Sequence, residues 1–296
     1  MSNKFLFSAL AFVLPFFAVL ASGPETGRHQ TVNTIAYYDP AALAKADDYQ
    51  RQRCKLDLRY PADKKNFATV VWFHGGGLTG GDRGIPEILN NHGYAVAAVS
   101  YRLSPKAKCP AYIEDAAAAT AWVLKHIAEY GGDPGKVFIS GHSAGGYLVA
   151  MVATDKEFLA KYGCAPQQLA GVIPISGQMV THFTIRSERG LAYHQQVVDR
   201  FAPLAHAAKD VPPMLLITGD AGKEMAYREE ENALMAATMR TAGNTKLEFY
   251  SLPGLDHGTV VAGSEPYLVT FIDRIGKAKD AAVATPAPGR TRPSGA

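Results

Sequence analysis

Between residues 136 and 153 the chain passes from an apolar stretch, Val137-Phe138-Ile139, through Gly141-His142-Ser143-Ala144-Gly145-Gly146, into a second apolar stretch from Tyr147 to Met151. Few backbones accommodate that order. The first run is short and unbroken, as in a strand buried on both faces, and the second continues to Ala153, long enough for a buried helix. Glycines on both sides of Ser143 let strand and helix meet at a sharp turn with no Cβ between them. A strand, a tight turn and a helix open a parallel-sheet unit, so the rest of the chain should supply further strands and covering helices.

The remaining pattern agrees with an α/β architecture. Strand-like runs lie near residues 32–38, 54–60, 68–73, 94–101, 136–140, 171–176, 214–218 and 246–251, and helical patterns over 112–130, 144–153, 227–242 and 264–276. The 54–60 run alternates Leu56, Leu58 and Tyr60 with charged neighbours, which reads as a half-exposed edge strand. The runs at 68–73 and 94–101 are apolar throughout and read as central. Glu114 and Asp115 stand where they favour the dipole of a starting helix. The stretch 178–210 is irregular and rich in His, Arg and Tyr, a short cap insertion. No repeat is visible, and residues 23–277 suit one domain. Residues 278–296 are mostly Ala, Pro, Gly, Arg and Ser, a composition that predicts a disordered tail.

At the N-terminus, Met1-Ser2-Asn3-Lys4 precedes an apolar run over 5–21 and then Ser22-Gly23-Pro24-Glu25. Residues 1–22 read as a secretory signal peptide, cleaved near Ala21. Pro15 and the shortness of the run argue against a retained membrane span. The expected location is periplasmic or secreted, with no stable membrane insertion after cleavage. A formal charge of +3, with no basic run interleaved with aromatics, excludes a nucleic-acid surface. Cys54, Cys109 and Cys164 match no zinc spacing, and the nine histidines form no His-x-x-x-His pair, so no metal is expected.

Three segments carry chemistry. Ser143, in Gly-x-Ser-x-Gly between a strand and a helix, is placed to act as a nucleophile, with the free amides and positive end of the helix beside it. His74-Gly75-Gly76-Gly77 follows the 69–73 strand, and side-chain-free amides there can approach a ligand oxygen. The amides of Gly76, Gly77 and Ala144 are the expected oxyanion hole, for an oxygen that gains negative charge in acyl transfer. His74 reads as structural. Gly254-Leu255-Asp256-His257-Gly258 lies past the last strand, where His257 can return to Ser143 as general base. Asp256 is expected to face the other side of that loop.

These motifs, His74-Gly-Gly-Gly, Gly-His-Ser143-Ala-Gly-Gly and Gly-Leu-Asp-His257-Gly, resemble those of the bacterial α/β-hydrolase esterases. That group includes hormone-sensitive-lipase-like carboxylesterases and acetyl-xylan or feruloyl esterases, with arylformamidases as close relatives. The resemblance spans 49–276 and implies the α/β-hydrolase fold: a mostly parallel eight-stranded sheet flanked by helices. It implies a Ser-His-acid triad that needs no metal or organic cofactor, and a small-molecule ester as substrate. Gly222 stands where the group usually carries its acid. Asp220, nearer the strand end, is the expected acid, and Glu224 is the alternative. The expected reaction is hydrolysis of small acyl esters through an acyl-enzyme. An amidase or arylformamidase would use the same machinery, and a chain without its acid would be a non-catalytic binding protein. The fold also makes the strands near Cys54 and Cys109 neighbours, so a Cys54–Cys109 disulfide is an expectation, with Cys164 free.

Overall fold

The computed structural model describes residues 27–284. The expected signal peptide lies outside them. The eight strands are β1 (His29–Ala36), β2 (Lys55–Pro61), β3 (Phe67–Phe73), β4 (Ala95–Val99), β5 (Gly132–His142), β6 (Gly171–Ile175), β7 (Met214–Thr218) and β8 (Leu247–Ser251). They form one sheet in the order β1-β2-β4-β3-β5-β6-β7-β8. β2 runs antiparallel to both β1 and β4, and every pairing from β4 to β8 is parallel. The helices are α1 (Pro40–Lys45), α2 (Asp48–Arg53), α3 (Ala111–His126), α4 (Ala144–Thr154), α5 (Lys156–Ala160), α6 (Phe183–Glu188), α7 (Arg228–Thr241), α8 (Val260–Gly263) and α9 (Glu265–Ala284). This is the α/β-hydrolase architecture, and the cap region is short, with α6 its one α-helix.

Alternating side chains of the central strands enter two separate cores. Val71 and Phe73 of β3, Val137 and Ile139 of β5, and Met214 and Leu216 of β7 join α3, α4 and α7 on one face. Val70, Trp72, Phe138, Leu215 and Ile217 join Leu268, Phe271 and Ile272 of α9 on the other. Burial on both faces explains why these strands read as unbroken apolar runs. Helix α4 is buried along almost its whole length, from Ala144 to Ala153. Its close seat on the sheet depends on glycine: a Cβ on Gly145 would lie 2.0 Å from the Phe73 carbonyl oxygen, and one on Gly141 would lie 2.6 Å from the Gly145 carbonyl carbon.

Four expectations need correction. β2 is not an edge strand, because β1 folds back against it. Its alternation arises from one solvated face, where Asp57 meets the Arg83 Nε at 2.9 Å and Arg59 meets Asn90. The disordered tail does not begin at 278: Ala-rich residues continue α9 through Ala284, since alanine favours helix. Asp115 does not serve the dipole of α3, whose first turn holds Glu114; it is fully buried, accepting from the Arg102 side chain at 2.7 Å and the Tyr38 hydroxyl at 2.6 Å. All three cysteines are free thiols. β2 and β4 are neighbours as expected, but Cys54 sits among Tyr37 and Asp115, whereas Cys109 lies near Tyr112 and Glu188, its amide bonded to the Glu188 carboxylate.

Two glycines should respond to alanine in opposite ways. Gly145→Ala must push α4 off β3 and should cost at least about 2 kcal/mol, as overpacking in a rigid interior does. Gly276, inside α9, has nothing within 4 Å of its missing Cβ. Gly276→Ala should stabilise by about 0.5–1 kcal/mol through helix propensity alone. Urea midpoints at unchanged slope measure both.

Candidate active site

Parallel pairing brings the C-terminal ends of β3, β5, β6 and β7 to one margin of the sheet, where loops of such sheets bind ligands. Phe73 pairs with Gly141 and His142 with Ile175, so residues 74–77, Ser143 and Ser176 leave the sheet side by side. Ser143 has φ 56° and ψ −116°. Such a backbone costs a non-glycine residue about 1–3 kcal/mol. Two hydrogen bonds hold it there, from the Ser143 amide to the Ile175 carbonyl at 2.8 Å and from the Tyr147 amide to the Ser143 carbonyl at 3.0 Å. The turn lifts the side chain out of the strand toward the loop after β8.

That loop presents His257. Its Nε2 lies 2.9 Å from the Ser143 Oγ, and its Nδ1 bonds a carboxylate oxygen of Glu224. Because a carboxylate only accepts, the Nδ1 carries the proton and Nε2 is left to accept from the serine hydroxyl. The Glu224 side chain is 1% exposed. Its Oε2 accepts from the Ser176 hydroxyl at 2.6 Å and the Gly219 amide at 3.2 Å, and its Oε1 also accepts from the Met225 amide at 2.9 Å. Burial alone would raise this carboxyl; the hydrogen bonds from His257, Ser176 and Met225 overcome it and hold it at about 2.

Asp220, the acid expected from sequence, does not reach His257. Its carboxylate accepts from the Gly222 amide at 2.9 Å and the Gly254 amide at 2.7 Å, tying the β7 loop to the β8 loop at the surface. The cause is a turn in the main chain: the Lys223 and Glu224 amides both donate to the Asp220 carbonyl at 2.8 Å. Residues four apart stack on one face in a continuing α-helix, but here the turn is not continued as one until Arg228. Asp220 ends outside and Glu224 inside. Asp256 faces away from the site, as expected, and accepts from the amides of Gly258 and Thr259.

The glycine loop is held by its carbonyls. The His74 ring bonds the Gly75 carbonyl at 2.6 Å, and the Gly76 carbonyl accepts from the amides of Thr79 and Gly80, each at 3.0 Å. In a trans peptide the C=O and the next N–H point in opposite directions. Fixing those two carbonyls therefore aims the amides of Gly76 and Gly77 away from them. Among the described residues neither amide donates to a protein acceptor. Ala144 is the first residue of α4, where an amide has no partner within the helix. Gly76 and Gly77 have φ +104° and +63°, which a side chain would resist. A Cβ on Gly75 would lie 3.3 Å from that of Ser143, so the loop rests directly on the serine.

Several contributors had no signal in the sequence. His142 donates from Nε2 to the His257 carbonyl at 2.7 Å, fixing the loop that carries His257. Burial first, and the neighbouring His257 second, push the His142 ring down to about 4, so it is neutral near pH 7. Arg228, 1% exposed, donates to the Ser176 carbonyl at 2.7 Å and so steadies a residue that binds Glu224. Thr184, from α6, bonds the Gly77 carbonyl. In the cap segment, His182 is fully buried against Tyr147, while Tyr193 is exposed beside Phe183. Among the described residues no three His, Cys, Asp or Glu side chains are grouped to hold a metal ion, and no helix is long and apolar enough to cross a membrane.

The depressed Glu224 carboxyl makes stability depend on pH. The folded value of about 2 lies below the unfolded value, so folding favours the ionised form. That contribution is complete above about pH 4.3, the ordinary glutamate value, and vanishes as pH falls through the folded value. It should amount to about 3 kcal/mol. Glu224→Gln should flatten the acid side of the stability profile by that order. Urea unfolding of both proteins between neutral and acid pH measures the difference.

Comparison with known proteins points to the same fold. The family model described as BD-FAE matches residues 56–173. A probable carboxylic ester hydrolase of Mycobacterium tuberculosis, LipM, is 27% identical over 236 residues, covering 71% of this chain and 54% of its own. The chain spans about half the length, or less, of the curated relatives it matches. Among solved structures, a truncated carbohydrate esterase from gut microbiota superposes with a TM-score of 0.68 at 19% identity, covering 86% of this chain and all of that one. Esterase 2 of Thermogutta terrifontis, phosphoramylated by tabun, gives a TM-score of 0.62 at 25% identity over 75% of this chain and 90% of its own. The chain has the α/β-hydrolase fold, and the relative and the solved structures named here, to which it is similar, are ester hydrolases by name.

Proposed function

We propose that the protein hydrolyses carboxylic esters, with Ser143 as nucleophile, His257 as general base and Glu224 as the acid. One observation carries the reading: the unbroken hydrogen-bond chain from the Ser143 hydroxyl through His257 to a buried, ionised Glu224. His257 takes the serine proton as Oγ attacks the ester carbonyl and returns it to the departing alcohol; water then attacks the acyl-enzyme by the same route. Glu224 stabilises the imidazolium without taking its proton. The amides of Gly76, Gly77 and Ala144 receive the negative oxygen of each tetrahedral intermediate. Glu224 lies two residues beyond the glycine at the usual acid position, which removes the sequence argument for a non-catalytic binding protein.

The substrate reading is an ester of a small acyl group. It is supported by the position of Phe183, whose ring comes 3.1 Å from where a Gly77 Cβ would be, filling space beside the glycine loop. The esterase names of the relatives point to the same bond class. We also propose export, on the charged start and apolar run of residues 1–22.

A fluorophosphonate should label Ser143, and Ser143→Ala should abolish both labelling and turnover of p-nitrophenyl acetate. Glu224→Gln should lower kcat by about 10³–10⁴ with little change in KM, because an amide holds the wrong tautomer of His257. Asp220→Asn should retain most activity. The reverse order of the two variants would return the acid to Asp220, and rates that rise with long acyl chains would overturn the small-acyl assignment. In the native host, intact-mass analysis should find a mature chain starting near Ser22 outside the cytoplasm; a full-length cytoplasmic chain would refute export.

A further inference from the structure

The His74 ring has a partner on each nitrogen, and the two partners are of opposite kinds. Nδ1 lies 2.6 Å from the Gly75 carbonyl oxygen, which only accepts. Nε2 lies 3.2 Å from Nη2 of Arg53, which only donates. Only one neutral form satisfies both, with the proton on Nδ1 and the lone pair on Nε2. A protonated ring would set an Nε2–H against the guanidinium. Burial, opposed by the Gly75 bond and aided by the Arg53 charge, brings the ring down to about 4, so it is neutral near pH 7.

Arg53 is itself held on three sides. Its Nε donates to the Tyr101 carbonyl at 2.9 Å, its Nη2 to the Gly81 carbonyl at 2.6 Å, and its Nη1 lies 3.3 Å from Asp82. The His74 ring lies flat on Tyr101, with centroids 4.4 Å apart and planes 12° apart, and the Tyr101 hydroxyl donates to the His74 carbonyl at 2.7 Å. Gly81 admits the ring edge, since a Cβ there would fall 2.3 Å from Nδ1. The ring therefore has little freedom to rotate, and its proton position decides what Gly75 receives. With the proton on Nε2 instead, a lone pair would face the Gly75 carbonyl and repel it. The peptide between Gly75 and Gly76 would then turn, carrying the Gly76 amide with it.

We propose that Arg53 is a positioning residue for the glycine loop: by donating to His74 Nε2 it selects the Nδ1–H tautomer, which through the Gly75 carbonyl aims the Gly76 amide at the oxygen of a bound ester. The last step rests on the ester-hydrolase reading above; the tautomer does not. Arg53 touches no reacting atom, and its effect passes through His74.

Long-range proton–nitrogen NMR of the ¹⁵N-histidine-labelled full chain, with His74 assigned by a His74→Asn variant, tests the first half. His74 should show a protonated Nδ1 and an unprotonated Nε2 near neutral pH. Arg53→Met, which leaves Nε2 without a donor, should shift the ring toward the Nε2–H form. In kinetics, Arg53→Met should lower kcat by about 10–100-fold with KM nearly unchanged, the pattern of a misaimed transition-state donor. Arg53→Lys, which keeps a donor, should recover most of kcat. A wild-type His74 protonated on Nε2 overturns the proposal whatever the variants do. So does an Arg53→Met protein that keeps both the tautomer and kcat, or a lysine variant as impaired as methionine while its His74 tautomer is native. If the wild type neither hydrolyses p-nitrophenyl acetate nor reacts with a fluorophosphonate, the function reading fails, while the tautomer measurement still decides what Arg53 does to His74.

Discussion

The contact of Gly145 with the Phe73 carbonyl is the constraint on which the site depends. It lets α4 descend onto β3 far enough that the turn between β5 and α4 has no room to relax. Ser143 is then held at positive φ by its bonds to Ile175 and Tyr147. Strain of this kind persists only where the surroundings over-determine it, and here the surroundings are two buried strands and a buried helix. The same close approach sets Gly75 against Ser143. Ser143 and the amides of the glycine loop are thus positioned by one packing event rather than by separate loops.

Around that rigid centre the polar groups are supported from behind. Glu224 is buried, yet it is satisfied by four donors from four different residues, which is what makes a buried carboxylate tolerable and keeps it ionised. Ser176, one of those donors, is steadied by the buried Arg228. His257 is constrained at both ends, through its ring by Glu224 and through its carbonyl by His142. On the far side of Ser143 the glycine loop has its own supports, with His74 and Arg53 beneath it and Thr184 above. The cap segment thereby takes part in holding the loop, although it contributes only one α-helix.

The parts of this arrangement that could be read from sequence are those with local causes. Apolar runs marked β3 to β7 because strands buried on both faces must be apolar on both. The glycines around Ser143 and at 75–77 marked close approach because no other residue lacks a Cβ. His257 could be placed because it follows the last strand, at the same margin as Ser143. The 54–60 run misled because a solvated face and a free edge leave the same alternating pattern, and only the pairing with β1 tells them apart. The cysteines misled because neighbouring strands do not make neighbouring thiols: Cys54 stands immediately before β2 beside Tyr37, and Cys109 lies in the loop between β4 and α3 beside Glu188.

The acid shows the division most clearly. The sequence by itself determined the α/β-hydrolase fold and marked Ser143, His257 and the glycine loop, since each belongs to a motif whose backbone requirement is local. The resemblance to the esterases implies an acid at 222, where this chain has glycine, with two carboxylates nearby. Which of them meets His257 was decided by tertiary structure alone. The turn that begins at Asp220 sends the two side chains to opposite sides, and only the inner one meets Ser176, the Gly219 amide and the imidazole. The roles of Arg53, His142 and Arg228 have the same origin. Each acts on a residue distant in sequence, and a charge or ring that works through such a contact leaves no periodicity or spacing to read.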